Sequence, residues 1–267
     1  MTPEEKEKNL KGQIAPLKSA LIALSGGTDS AYLTCIAAGV DSLRIVAATV
    51  QTPYMHQHEI HDAQSFCRHH KIEHLVISLD MTEEIASNPQ DRCYRCKKNL
   101  MAALKKTAGD FGIQTVFDGT NFDDLHDYRP GMKALRECGI ISPLLNAEMT
   151  KEDIRQRSRI AGLQTWNKPA NACLLTRFPH DKEVSAGELR NVEQAEQFLA
   201  SLGFAGSRVR IHDKIVRIEL PADCLEKHFS AEWRQKVAGK FKGLGYQYIT
   251  LDLEGYRSGT MNQEIPR

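Results

Sequence analysis

The segment Ser25-Gly26-Gly27-Thr28-Asp29-Ser30 follows the apolar run Leu21-Ile22-Ala23-Leu24, and the residues after it, to Ala38, read as a helix. Strand, glycine turn and helix start together build an anion cradle. Backbone N–H groups in the turn and at the helix N-terminus face the anion, and the helix dipole adds partial positive charge. Two glycines let the main chain approach a phosphate with no Cβ in the way. A Walker loop is excluded, because no Gly-Lys-Ser/Thr follows four residues on, and the dinucleotide fingerprint lacks its third glycine. The alternative is an ordinary glycine-containing turn between strand and helix.

A second group of residues carries sulfur. Cys93 and Cys96 lie three apart in Asp91-Arg92-Cys93-Tyr94-Arg95-Cys96-Lys97-Lys98, at a predicted helix start. That spacing puts both thiols on one side, within reach of a single metal or cluster. Arg92, Arg95, Lys97, Lys98 and the helix dipole favour thiolates there. A zinc site would want a second Cys or His pair at matching spacing, and there is no second Cys-x-x-Cys. Cys173, in the Pro-flanked loop Lys168-Pro169-Ala170-Asn171-Ala172-Cys173, is the third candidate. Three cysteines suit a [4Fe–4S] cluster that leaves one iron open. The alternative is a structural Cys173 and an inert pair. Cys35, Cys67, Cys138 and Cys224 read as small core residues. The cluster of His56, His58, His61, His69, His70 and His74 lacks the spacer of a zincin motif and reads as a polar helix face.

These residues need elements to hold them. Strands are predicted at Leu21–Leu24, Leu43–Val50, His74–Leu79 and Gln114–Phe117. Helices are predicted at Asp29–Ala38, His58–His70, Lys97–Lys106 and Lys151–Ala161, the last opened by a capping box from Thr150 to Asp153. The alternation predicts an α/β fold with a doubly wound parallel sheet, which binds ligands at the carboxyl ends of its strands. Asp118-Gly119-Thr120-Asn121 follows a strand and is expected at that edge, as part of the site or as a plain turn. Residues 166–182 are irregular. Beyond them come a capped helix from Ser185 to Leu202, strands Arg208–His212 and Val216–Leu220, a helix at Ala231–Phe241 and a strand at Tyr246–Leu253. We therefore expect a first domain over residues 1–170 and a smaller α+β domain over residues 171–267.

The 267 residues are enough for such a pair of cores. A net charge of +1 gives no general pull toward nucleic acid. No apolar run reaches the length of a membrane span, and the charged start, Met1-Thr2-Pro3-Glu4-Glu5-Lys6, is no signal peptide. It reads as a frayed helix of a cytoplasmic protein. Seven cysteines without a secretion signal argue against a disulfide framework.

The glycine loop resembles the pyrophosphate (PP) loop of the ATP pyrophosphatases, which split ATP between its α- and β-phosphates and adenylate their substrates. Further segments resemble the LarE family of ATP-dependent sulfur transferases, which helps build the nickel-pincer cofactor of lactate racemase. They are Asp127-Tyr128-Arg129-Pro130-Gly131, Trp166-Asn167-Lys168, Arg177-Phe178-Pro179, Arg208-Val209-Arg210, Ile218-Glu219-Leu220, Thr250-Leu251-Asp252-Leu253, Arg257-Ser258-Gly259 and Met261-Asn262. Their shared order runs nearly end to end.

The resemblance implies an adenine nucleotide alpha hydrolase-like fold. It implies ATP held by Ser25, Gly26, Gly27, Thr28, Asp29, Ser30, Gly119 and Asn121, with Asp29 helping to place Mg²⁺. Arg129 is implied as a substrate or phosphate contact, against a structural salt bridge. Lys97 is placed to neutralise charge near the thiols, against an exposed helix lysine. The implied acceptor is a pyridinium dicarboxylate mononucleotide, adenylated and then converted to a thiocarboxylate with sulfur carried on the cluster. Its phosphate would be held by Thr176, Arg208 and Arg210, partly across subunits of a homo-oligomer, hexamers included. Alternation puts Arg208 and Arg210 on one strand face, and a solvated basic face is the plainer reading. Glu196 and Glu219 read as weaker candidates or ordinary surface carboxylates.

The family has a type that sacrifices a cysteine in the Cys173 region and a three-cysteine cluster type, and the thiols at 93 and 96 resemble the second. Loss of sulfur from Cys173, tRNA thiolation, amidation with ammonia, and a nucleotide-binding sensor or scaffold with a structural cluster remain as alternatives. The sulfur donor is open.

Overall fold

The computed structural model of the chain describes residues 1–126, 131–169, 171–225 and 229–257. Two compact units divide it: Met1–Asp80 with Asp91–Ala170, and Met81–Gln90 with Asn171–Arg267.

In the first unit, β1 (Ser19–Ala23), β2 (Arg44–Gln51), β3 (His74–Ser78) and β4 (Val116–Phe117) form an all-parallel sheet ordered β3-β2-β1-β4. Parallel neighbours need crossover connections. The helices Thr28–Ala38, Gln57–His70 and Arg92–Asp110 lie between successive strands. A strand covered on both faces reads as an unbroken apolar run, and Ala20, Leu21 and Ile22 are all fully buried. Leu21 joins a cluster with Val46, Met101 and Leu104. Its neighbour Ile22 points the other way, into a cluster with Tyr32, Leu33 and Phe117. The α/β fold expected from the alternation is therefore present, with strand ends within two residues of expectation. The helix bearing Cys93 and Cys96 starts at Arg92 rather than Lys97.

The order of the sheet decides where a ligand goes. β1 pairs with β2 on one side and β4 on the other, so the connections after β1 and β4 diverge. The crevice outside the carboxyl ends of two such strands is the binding position of open α/β sheets. Ser25–Ser30 follows β1 and Asp118–Asn121 follows β4.

The N-terminal helix, Pro3–Ile14, is not frayed. A reciprocal capping box between Thr2 and Glu5 starts it. Leu10 and Ile14, one turn apart, are buried in the same cluster as Ile22, which stabilises by about 1.5–3 kcal/mol per side chain. Glu7 accepts from Tyr32 at 2.8 Å, from Arg157 Nε at 2.8 Å and from Lys11 at 2.9 Å. Burial works to raise the Glu7 pKa, but the donors, Arg157 foremost, outweigh it and hold it at about 2 against an ordinary 4.5. A carboxyl with a depressed folded pKa stabilises fully above its unfolded pKa and loses that contribution as pH falls through the folded one. Glu7→Gln should therefore flatten the loss of thermal stability between about pH 4.5 and pH 2, read as Tm against pH.

In the second unit, β5 (Arg208–His212) and β6 (Ile215–Glu219) pair antiparallel, and β7 (Tyr248–Leu251) adds parallel to β6. The helix Ala186–Ser201 starts at the expected Ser185–Glu188 capping box, and Ala231–Gly243 follows β6. Asn88, fully buried, donates to the carbonyl of Pro179 at 2.7 Å, which builds the segment Met81–Gln90 into this unit. Among the described residues no helix is long and apolar enough to cross a membrane.

Candidate functional site

The glycine loop is built by its own side chains. Ser30 Oγ accepts the Ser25 N–H at 3.2 Å and donates to the Gly27 carbonyl at 3.3 Å. Thr28 Oγ1 donates to the Thr165 carbonyl at 2.7 Å. Both hydroxyl protons are thus used to shape the turn. Gly27 is the N-cap of the helix Thr28–Ala38 and has no side chain to cap it, while its own N–H donates to Ser25 Oγ at 3.4 Å. A helix N-terminus of this kind presents N–H groups and partial positive charge to an anion. Gly26 has φ +77°, and a Cβ there would lie 2.7 Å from the Glu59 carbonyl oxygen.

The loop after β4 closes on the same helix start. A Cβ on Gly119 would lie 2.9 Å from Ser30 N, so only glycine permits the approach. Asn121, fully buried, donates its amide to Asp29 Oδ2 at 2.9 Å and accepts the Asp124 N–H at 3.3 Å. That fixes the orientation of the Asp29 carboxylate. Asp118, also buried, accepts from Thr120 and Ser142 hydroxyls, each at 2.6 Å, and from Lys97 at 3.4 Å. Lys97 is half-exposed and joins the cysteine-bearing helix to this loop. The structure thus brings Ser25–Ser30, Gly119, Asn121 and Lys97 to one end of the sheet.

Cys93 is exposed and Cys96 half-buried on the helix Arg92–Asp110. Cys96 Sγ lies 3.3 Å from the hydroxyl of buried Tyr54. Arg95 is paired with Asp91 at 2.8 Å and Lys98 with Glu137 at 3.5 Å, so two of the expected neighbouring cations are already matched by carboxylates. Among the described residues none of the seven cysteines forms a disulfide. Cys67 is buried in the core, where desolvation pushes its thiol up to about 11, and Cys224 is buried too. Among the histidines, His56 is buried at the N-cap of Gln57–His70, because the chain turns inward before the helix begins. It is therefore not part of the expected polar face.

Cys173, in the second unit, caps the short 3₁₀ turn Leu174–Arg177. Its carbonyl accepts from Thr176 N at 3.0 Å, Thr176 Oγ1 at 2.8 Å and Arg177 Nη1 at 3.3 Å. Arg177 is fully buried and forks onto Glu196, with Nε–Oε1 2.8 Å and Nη2–Oε2 2.9 Å. Burial pushes the Glu196 pKa up, but the Arg177 charge and hydrogen bonds override it and hold it low. Arg210 pairs with Glu219 at 2.9 Å and donates to the Thr176 carbonyl at 2.9 Å. Arg208 donates to the Gly206 and Ser207 carbonyls and to Asn171 Oδ1, and its guanidinium lies 4.9 Å from the Tyr256 ring centroid. Burial, then the Arg177 charge, lowers the Arg208 pKa. With half-buried Arg217, which pairs with both Glu219 at 3.1 Å and Asp252 at 3.6 Å, the guanidiniums of Arg177, Arg208, Arg210 and Arg217 outnumber the carboxylates of Glu196, Glu219 and Asp252, leaving surplus positive charge suited to an anion.

A protein of Synechocystis with no assigned role is 38% identical over 99% of this chain and 99% of its own length. The pyridinium-3,5-bisthiocarboxylic acid mononucleotide synthase of Lactiplantibacillus plantarum is 33% identical over 98% of this chain and 95% of its own length. The chain belongs to the LarE family. A further protein, from Methanocaldococcus jannaschii, is 32% identical over 90% of the chain and 92% of its own length. The family model of the queuosine biosynthesis protein QueC matches residues 19–107, which hold β1 to β3 and the glycine loop. The chain is accordingly an ATP-dependent sulfur transferase with a PP-loop domain.

Within this LarE-family fold two of the alternative readings, surface carboxylates at 196 and 219 and a solvated basic face at 208 and 210, are set aside by burial. Glu196 and Glu219 are buried partners of arginines, not surface carboxylates, and Arg208 and Arg210 are buried rather than a solvated face. The cause is shared: the strand face carrying both arginines turns inward, where each needs a charge or dipole partner. Arg177 and Asp118 were missed as organisers of the site. A buried arginine beside a Pro-flanked cysteine has no local periodic signal, and the segment holding Asp118 points to the sheet edge without marking this carboxylate as the acceptor for Thr120, Ser142 and Lys97. Arg129, with Asp127, Tyr128 and Pro130, lies outside the described residues, as do residues 258–267 with Ser258, Gly259, Met261 and Asn262.

Proposed function

We propose that this sulfur transferase converts the carboxylates of a pyridinium dicarboxylate mononucleotide to thiocarboxylates, for the nickel-pincer cofactor of lactate racemase. The observation that carries the reading is the near-full-length identity to the synthase, in a chain whose glycine loop leads into a helix with glycine as its N-cap. A carboxylate resists sulfide attack because its oxygen leaves poorly. The acceptor carboxylate attacks the ATP α-phosphorus and pyrophosphate departs. Sulfide then attacks the acyl carbon, the bond to the AMP oxygen breaks, and the sulfide proton is lost to solvent. Loop N–H groups bear the phosphate charge, and Asp29, oriented by Asn121, would hold Mg²⁺, which spreads charge on the departing pyrophosphate. Lys97, held by Asp118, brings a cation to the same end of the sheet. Arg129 would be a further contact to the substrate.

Cys93, Cys96 and Cys173 would hold a [4Fe–4S] cluster. Their accessible or half-accessible thiols fit soft-metal ligation, unlike the buried Cys67 and Cys224. When bound, such a group carries the sulfur to be transferred. Thr176, Arg208 and Arg210 would receive the acceptor's phosphate in the surplus positive charge of their cluster. The chain would work in the cytoplasm as a homo-oligomer with an external sulfur donor.

The test is anaerobic purification followed by turnover with ATP, acceptor and sulfide. Cys96→Ala should lower bound iron and acid-labile sulfide; equal content in both proteins would remove Cys96 from the ligand set. Cys173→Ser should keep acceptor-dependent pyrophosphate release and lose about a thousandfold or more in thiocarboxylate formation. Protein mass separates catalysis from self-sacrifice, because a chain lighter by the elements of hydrogen sulfide after turnover would show self-sacrifice, and loss of that change in Cys173→Ser would assign it to Cys173.

A further inference from the structure

The glycine loop has one weakness as an anion cradle. Its turn carries carbonyl oxygens as well as N–H groups, and a carbonyl beside a phosphate repels it. The carbonyl of Gly26 is not left to do so, since Lys168 Nζ donates to it at 2.9 Å. That ammonium is largely buried, with 16% of the side chain exposed, and is matched by Asp62 at 2.7 Å. The same segment grips the loop a second time, where Thr28 Oγ1 donates to the carbonyl of Thr165. Gln164–Asn167 forms a 3₁₀ turn that sets Thr165 and Lys168 three residues apart, on the side that meets the loop. On its other flank Gly26 abuts the backbone of Glu59, so the residue is clamped between a helix and a lysine.

We propose that Lys168, with Asp62 as its counter-ion, is a positioning residue for ATP: it occupies the Gly26 carbonyl and holds the loop with its N–H groups available to the phosphates. The ammonium also brings a positive charge against the turn, which a neutral donor would not supply. The proposal rests on the ATP-dependent reading of the loop. It adds residues that lie far from the loop in sequence, Lys168 by 142 positions.

The test is equilibrium binding of Mg–ATP to the full chain, with KM for ATP measured alongside. Lys168→Met should weaken ATP binding and raise its KM by about tenfold, the worth of one charge-assisted hydrogen bond, while the KM of the acceptor moves little. Lys168→Arg, which keeps the charge and a donor, should recover most of the loss. Asp62→Asn, which keeps the lysine but loosens it, should fall between wild type and Lys168→Met. Wild-type ATP affinity in Lys168→Met would overturn the proposal. So would equal loss of ATP affinity in Lys168→Met and Lys168→Arg together with matching falls in Tm, which is the pattern of a merely structural residue. Failure of the wild type itself to bind ATP would instead overturn the reading on which the proposal stands.

Discussion

Arg177→Met should cost the second unit about 3–5 kcal/mol, a large share of the stability of a domain. Arg177 has no exposed surface, and its donors reach Glu196, the Ala172 and Cys173 carbonyls and Thr176 Oγ1. Methionine fills much of the volume and supplies none of these bonds. Glu196 is then left buried, with the Val209 N–H at 3.0 Å as a hydrogen bond and the Arg208 charge nearby. The sign of the pH dependence follows. In the wild type Glu196 is held below its ordinary 4.5, so its contribution is present above that value and lost as pH falls. In the variant, burial dominates and raises the carboxyl pKa, so the deficit is greatest at neutral pH and shrinks as acid neutralises Glu196. Urea unfolding of both proteins at pH 7 and pH 5 measures the two deficits. A larger deficit at pH 5 would contradict the assignment. The double variant Arg177→Met/Glu196→Met should recover much of the loss, because replacing both charges removes the orphan rather than creating it.

This cluster also marks how far the sequence could be read. Local signals were dependable. The capping boxes Thr150–Asp153 and Ser185–Glu188 formed as expected, since both partners lie within one turn. The strand Arg208–His212 formed at its expected bounds. Contacts set by tertiary packing were not legible. Arg177 meets Glu196 across 19 positions, and Asn88 meets Pro179 across 91. The N-terminal helix is rich in charge and looks loose in isolation, yet Leu10 and Ile14 are buried and Glu7 gathers three donors. Charge count announced none of this, because burial of a carboxylate depends on who faces it.

The same distinction governs the glycine loop, where the type of each residue was legible and its steric reason was not. Gly26→Ala and Gly119→Ala should each lower ATP-dependent pyrophosphate release by about a hundredfold or more, since displacing a bound group by an ångström has that effect. At Gly26 the alanine would adopt φ +77°, a left-handed conformation costing about 1–2 kcal/mol, and its Cβ would meet a backbone oxygen at 2.7 Å. Backbone cannot swing aside as a side-chain tip can, so the loop or the helix Gln57–His70 must shift. At Gly119 the Cβ would press on Ser30 N at 2.9 Å, Ser30 Cα at 3.1 Å and the Asp29 carbonyl carbon at 3.3 Å. Those atoms form the first turn of the helix that receives the anion, and the push would also displace Asp29 from Asn121. Gly109→Ala provides the contrast: its Cβ meets nothing within 4 Å, and in the helix Arg92–Asp110 it should raise stability by up to about 1 kcal/mol with pyrophosphate release intact. Rates and Tm for the three variants decide the matter. Near-normal rates in Gly26→Ala and Gly119→Ala would mean that ATP is held by something other than this turn.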